Sequence, residues 1–148
     1  VLDMHSLPGG ATRNVGYTGR YYGAARFFEG SDEWAADGNA SSLPSKKKWP
    51  YLRHGVEVLH RCARFIASLE LDEQTQGVVA GLAPWNEALL FDDLLAARYL
   101  GPFVLKLVPQ LRSILPARRY ELSLNWFNRG RDWAAWEEMT REGRDRAQ

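Results

Sequence analysis

Apolar residues recur with helical spacing in the first half of the chain. Five of them are separated by four and three residues in turn, which predicts an amphipathic helix over roughly residues 51–70. The apolar face of this predicted helix consists of Leu52, Val56, Leu59, Ala63 and Ile66. His54, His60 and Arg61 fall mainly off that face, and Cys62 lies beside it as a small residue that we expect to be buried.

Short apolar segments on either side of this helix predict strands. Residues 1–5 stop before Pro8-Gly9-Gly10, and residues 78–83 stop at Pro84. Residues 119–126 alternate between apolar and polar, which is typical of a third strand. Helical patterns lie between and after these strands, at residues 92–100, 103–115 and 131–146.

The order of these elements predicts an α/β fold. Strands that alternate with helices pair in parallel through right-handed crossovers. Gly101-Pro102 is expected to separate two of the helices, and Pro109 to kink the second because proline lacks an N–H. Residues 11–50 show no sustained period, so they predict an unusually long connection.

Composition excludes several function classes. The net charge of +1 gives no electrostatic argument for binding nucleic acid, and no segment has the ~18–20 uninterrupted apolar residues of a membrane span. One cysteine is too few for a cysteine-built metal site, and no cofactor-binding motif is present, so neither a metal nor a cofactor is expected. Aromatic residues make up 12% of the 148 residues, with six Trp, and composition alone does not explain this share.

Polar side chains collect where the predicted strands end. His5 ends the first strand, Asn86 and Glu87 follow the second, and Asn125-Trp126 ends the third. In parallel α/β folds this edge of the sheet carries the chemistry. Three such strand ends therefore predict a site.

Two of these residues have an alternative interpretation. Glu87 suits a general acid whose pKa is raised by its buried setting beside Trp85 and Asn86. Equally, Asn86 could cap the following helix and Glu87 could complement its first turn. His5 could orient a substrate hydroxyl, or it could be a core histidine paired with Asp3 or a backbone carbonyl.

The aromatic residues also have two interpretations. Trp and Tyr rings can stack on sugar rings, and Trp85 and Trp126, beside the predicted strand ends, are predicted to bind substrate. The aromatic residues of the long connection could do the same or could fix that connection onto the scaffold. They are Tyr17, Tyr21, Tyr22, Phe27, Phe28, Trp34 and Trp49. Asn39-Ala40-Ser41 matches the acceptor triplet for N-glycosylation, which matters only in a secreted protein.

Two ordered motifs resemble glycoside hydrolase family 5, the cellulase and exo-β-1,3-glucanase group. The segment Val-Leu-Asp-Met-His-Ser-Leu-Pro-Gly-Gly at residues 1–10 is similar to that family's third strand. Residues 79–87 resemble its fourth strand, which ends in Asn-Glu-Pro, although Ala88 stands where the family has proline. Glu87 then matches the acid/base catalyst, while Asn86 and His5 match residues that contact the substrate.

The resemblance implies a partial (β/α)₈ TIM barrel, from about strand 3 to helix 5. Residues 1–148 would be a fragment of one catalytic barrel, with Val1 inside a strand. The implied activity is retaining hydrolysis of a β-glucan, in which a second carboxylate, not assigned within this chain, forms the glycosyl-enzyme. The alternative is a catalytically inactive, carbohydrate-binding or truncated remnant.

Overall fold

The computed structural model describes residues 2–4, 7–9, 26–79, 82–83 and 96–115. Two short strands, three α-helices and one π-helical segment occur in these ranges. In chain order they are β1 (Leu2–Asp3), α1 (Ser31–Ala35), α2 (Pro50–Leu69), β2 (Leu82–Ala83), the π segment (Ala96–Leu100) and α3 (Gly101–Ile114). None of the described helices is both long and apolar enough to cross a bilayer.

Helix α2 confirms the helical spacing. The five apolar residues of its predicted face are buried, whereas His54 and Arg61 are exposed and His60 is half-buried. Pro50 occupies the start of the helix, where its missing N–H costs nothing. Cys62 is half-buried, and its thiol contacts the sulfur of Met4 at 3.8 Å.

The predicted break between two helices at Gly101-Pro102 is wrong. The π segment runs directly into α3, and Pro102 lies in the first turn of α3. The helix also continues through Pro109 and ends at Ile114. Leu115, which precedes Pro116 in the sequence, is extended, as the residue before proline prefers.

The expected α/β partial (β/α)₈ barrel is wrong, because the described residues are mainly helical. Strands β1 and β2 are parallel, but each has only two residues, with Leu2 opposite Leu82 and Asp3 opposite Ala83. Strands of a barrel sheet are typically ~5–6 residues long, so that alternate side chains can fill an interior. The core of the described part instead forms between helices.

The second strand is shorter than the apolar run at residues 78–83 predicted. Val78 is 70% exposed, and its N–H donates to the carbonyl of Thr75 at 3.1 Å within a turn. Gly77 in that turn has a φ of 80°, in the left-handed region. A turn that uses the N–H of Val78 prevents a strand from starting there. The predicted strand at 119–126 and helix at 131–146 lie outside the described residues.

The centre of the core is a cluster of aromatic rings. Phe27, Phe28 and Phe103 are fully buried and meet edge to face, with centroids 4.7 Å apart for Phe27–Phe28 and 5.0 Å for Phe28–Phe103. Phe27 lies so close to α2 that a Cβ at Gly55 would come within 1.9 Å of its ring. Trp34 of α1 completes the cluster against Phe103 at 6.1 Å. This cluster joins α1, α2 and α3.

Candidate functional site

The residues predicted for catalysis and substrate binding lie outside the described part of the chain. They are His5, Trp85, Asn86, Glu87 and Trp126. Their roles therefore stay predictions. The structure does describe the two strands that come just before four of these residues in the sequence.

Strands β1 and β2 end side by side. Asp3 and Ala83 are register partners in a parallel pair, so the chain leaves both strands at the same edge. Adjacent strands lie about 4.8 Å apart. His5 follows Asp3 by two residues, and Glu87 follows Ala83 by four. The two segments that carry these residues therefore begin at neighbouring points.

A second polar arrangement is built around the connection between α1 and α2. We call residues 36–45 the anchored loop, because side chains from α3 hold its backbone. Lys106 of α3 is only 7% exposed and donates to Asp37 and, at 2.6 Å, to the carbonyl of Asn39. Its ammonium also lies 6.0 Å from the centre of the Trp34 ring. The charge of this buried lysine is thus paired with the carboxylate of Asp37.

Asp37 carries the negative charge of this arrangement. The hydrogen bond from Lys106 lowers the pKa of its carboxyl from 3.8 to about 2, with a further contribution from the Ser42 hydroxyl. Both bonds favour the ionised carboxylate. Asp37 therefore stays charged at neutral and mildly acidic pH, where it holds the loop.

Gln110 and Trp34 bind the carbonyls of the anchored loop. The Gln110 amide nitrogen donates to Ala40 O at 2.8 Å and to Ser42 O at 2.9 Å. The indole nitrogen of Trp34 donates to the same Ser42 carbonyl at 3.0 Å. These bonds satisfy backbone groups that would otherwise lose hydration against the helix.

A pocket of about 270 Å³ lies between the anchored loop, α2 and α3. Its lining combines the apolar Pro109 and Ile114 with Ser41, His60 and Gln110. The buried His60 Nε2 and Gln110 Oε1 have no hydrogen-bond partner within the described ranges. Burial lowers the pKa of His60, and Arg64 lowers it further, while Gln110 and Glu57 oppose these effects. His60 is therefore predominantly neutral at pH 7.

Sequence reasoning missed Lys106 and Gln110. The signal was present, since these two polar residues are four apart and flank the apolar face of α3 at Phe103, Leu107 and Leu111. Polar side chains beside a buried face must find partners, and here the partners come from a loop about 70 residues earlier. Nothing in the local pattern identifies that loop.

Three aromatic residues of the long connection fix it onto the scaffold, as one of the two interpretations predicts. Phe27, Phe28 and Trp34 are buried and fix the connection onto the helices. Trp49 is half-buried, with Lys48 stacked on its ring at 5.5 Å. The remaining ones, Tyr17, Tyr21 and Tyr22, lie outside the described residues.

Within the described ranges, no three His, Cys, Asp or Glu side chains are grouped as metal ligands would be. The anchored loop and its pocket offer hydrogen bonds and one ion pair. No family model, curated protein or solved structure matches this chain.

Proposed function

We propose that this chain belongs to a retaining glycoside hydrolase that cleaves β-glucan polysaccharide or oligosaccharide, with Glu87 as general acid/base. The observation that supports the proposal is the parallel pairing of β1 with β2, in the register Asp3 opposite Ala83. This pairing starts the His5 and Asn86-Glu87 segments from one edge. The proposal depends on these neighbouring strand ends and on the motif resemblance.

The proposed mechanism uses two carboxyl groups about 5–5.5 Å apart. Glu87 protonates the glycosidic oxygen as the bond breaks, and later removes a proton from the attacking water. The second carboxylate forms the glycosyl-enzyme, and we assign it to no residue of this chain. Asn86 would bind the hydroxyl next to the reacting carbon, and His5 would contact the same sugar. Trp85 and Trp126 would stack on sugar rings.

The role of Glu87 is tested by comparing two leaving groups in the complete protein that contains this chain. A glucan leaving group needs a proton, so Glu87→Gln should lower kcat/KM on laminarin or carboxymethylcellulose by roughly 10²–10⁴. A dinitrophenyl leaving group needs none, so kcat/KM on the dinitrophenyl glucoside should change far less. Glu73→Gln, in an exposed turn, is the matched control and should keep the parental values.

The outcomes separate the possible functions. An equal loss on both substrates would contradict a general-acid role for Glu87. Hydrolysis of neither substrate, together with measurable glucan binding, would instead favour the carbohydrate-binding remnant. Retention is checked independently by NMR, because a retaining enzyme first releases the anomer with the configuration of the substrate.

A further inference from the structure

The anchored loop carries a motif that the proposed hydrolysis does not use. Asn39-Ala40-Ser41 has the Asn-x-Ser form, with no proline at the middle position, that accepts N-linked oligosaccharide. All three residues are exposed. The triplet is common in sequences by chance, so its significance depends on how the fold presents it.

The fold holds this segment by atoms other than those a glycan would need. The backbone N–H of Asn39 donates to Asp37 at 3.0 Å, and its carbonyl accepts from Lys106 at 2.6 Å. The Asn39 side-chain oxygen accepts from the N–H of Ser41 at 3.0 Å. Neither Asn39 Nδ2 nor the Ser41 hydroxyl has a hydrogen-bond partner among the residues described. A substituent on Nδ2 would therefore break none of the bonds that anchor the loop.

The surroundings of Asn39 leave room for a bulky group. A Cβ built on the preceding residue, Gly38, would have no atom within 4 Å. Ala36 to Ser41 are exposed without interruption, although Asp37 and Asn39 are tied to Lys106 beneath them. The loop thus presents a fixed backbone on its inner side and open solvent on its outer side. Glycans occupy surface positions of this kind.

We propose that Asn39 is an N-glycosylation site and that the protein passes through a secretory compartment. The donor is an oligosaccharide carried on a lipid diphosphate. A bond forms between Asn39 Nδ2 and C1 of the first sugar, while the C1–O bond to the diphosphate breaks. The electron pair of that bond leaves with the lipid diphosphate, and Nδ2 loses one proton. This inference is independent of the catalytic role of Glu87.

The direct test uses the protein isolated from the cells that make it. Digestion with peptide N-glycosidase in heavy-oxygen water converts a glycosylated asparagine into a labelled aspartate, which mass spectrometry locates. We expect the label at position 39. Recovery of the Asn39 peptide wholly as unmodified asparagine would overturn the proposal.

A variant series tests the acceptor itself. The full chain is directed into the secretory pathway of a eukaryotic host, and its electrophoretic mobility is compared before and after glycosidase treatment. Asn39→Gln and Ser41→Ala should each abolish the mobility shift, while Ser41→Thr should keep it because threonine preserves the hydroxyl. Ser68→Ala, exposed and outside the anchored loop, is the matched control and should keep the shift. A shift that survives Asn39→Gln, or that is absent from the parent chain, would contradict the assignment.

Discussion

Two connections of equal length are held in different ways. The anchored loop, residues 36–45, is bound by Lys106, Gln110 and Trp34, which reach it from α3 and α1. The exposed turn, residues 70–79, is held by hydrogen bonds to nearby backbone, such as those from Thr75 Oγ1 to Leu69 O at 2.8 Å and from Gln76 N to Asp72 O at 2.8 Å.

The difference shows in the side chains beside each connection. Next to the anchored loop, Phe103 and Trp34 are buried in the aromatic cluster. Near the exposed turn, Phe65 is 56% exposed and Leu71 is 89% exposed. A polar loop is therefore fixed when it lies across the face of another helix, because buried donors on that helix then need its carbonyls. The contacts with α1 and α3, rather than the length of the segment, distinguish these two cases.

The largest expected effect on the free energy of unfolding comes from truncating a phenylalanine beside the anchored loop. Truncating a phenylalanine near the exposed turn is the comparison. Phe103→Ala should lower the free energy of unfolding by about 3–5 kcal/mol, because it leaves a cavity where Phe27 and Phe28 now pack. Phe65→Ala should change it by no more than about 0.5 kcal/mol. Denaturant unfolding followed by Trp fluorescence measures both. Similar losses of stability in the two variants would contradict the burial of Phe103 in the core.

A smaller effect is expected for the glutamine that binds the loop. Gln110→Met should cost about 1–2 kcal/mol, because the Ala40 carbonyl loses its donor and the Ser42 carbonyl keeps that of Trp34. Gln74→Met, in the exposed turn, is the matched control and should be near neutral. Hydrogen exchange should show faster exchange in residues 36–45 for the first variant. Unchanged exchange there would argue that Gln110 does not anchor the loop.

The ion pair between Lys106 and Asp37 predicts that the free energy of unfolding falls at low pH. The pKa of Asp37 is about 2 in the folded chain and near 3.8 without its partners, so the unfolded chain binds the proton first as the pH falls. The stabilisation is complete above about pH 4 and is lost between about pH 4 and 2. Lys106→Met should return the Asp37 pKa towards 3.8, as measured by NMR titration of its carboxyl. Lys47→Met, which is exposed, is the control, and an equal change in both variants would refute the pairing.

The smallest effect is expected in the exposed turn. Asp72 accepts there from the N–H of Gln74 at 2.9 Å. Asp72→Ala should lower the free energy of unfolding by a few tenths of a kcal/mol. This is near the lower end for a turn hydrogen bond, because water replaces the lost acceptor.

Limited proteolysis should cut residues 70–79 before residues 36–45 in the parent chain. Earlier cleavage in the anchored loop would reverse the comparison.

Sequence patterns predicted the structure best where a periodic pattern extends over many residues. The four-and-three spacing from Leu52 to Ile66 located α2 almost to the residue, since burying one face requires that spacing. Short apolar runs were less informative. Among the described residues of the run at 78–83, the strand is Leu82–Ala83, and the turn at Thr75 and Gly77 uses the N–H of Val78.

The candidate site could also be predicted only in part from the sequence. His5, Asn86 and Glu87 were selected by their positions after predicted strands, and the pairing of Asp3 with Ala83 gives those segments neighbouring starting points. The fold class inferred from the same strands was wrong, because alternation of elements does not reveal how long each strand is. The polar group at Lys106 and Gln110 could not be predicted, since its partners are distant in the chain.

By itself, the sequence determined the helical face of α2 and the Asn39 triplet, because these depend on neighbouring residues. Only the tertiary structure decided which loop is anchored, which aromatic rings form the core and where β1 meets β2. These features depend on groups tens of residues apart finding complementary partners. Burial makes an unpaired lysine or glutamine costly, and this cost selects the one loop arrangement that satisfies Lys106 and the Gln110 amide nitrogen.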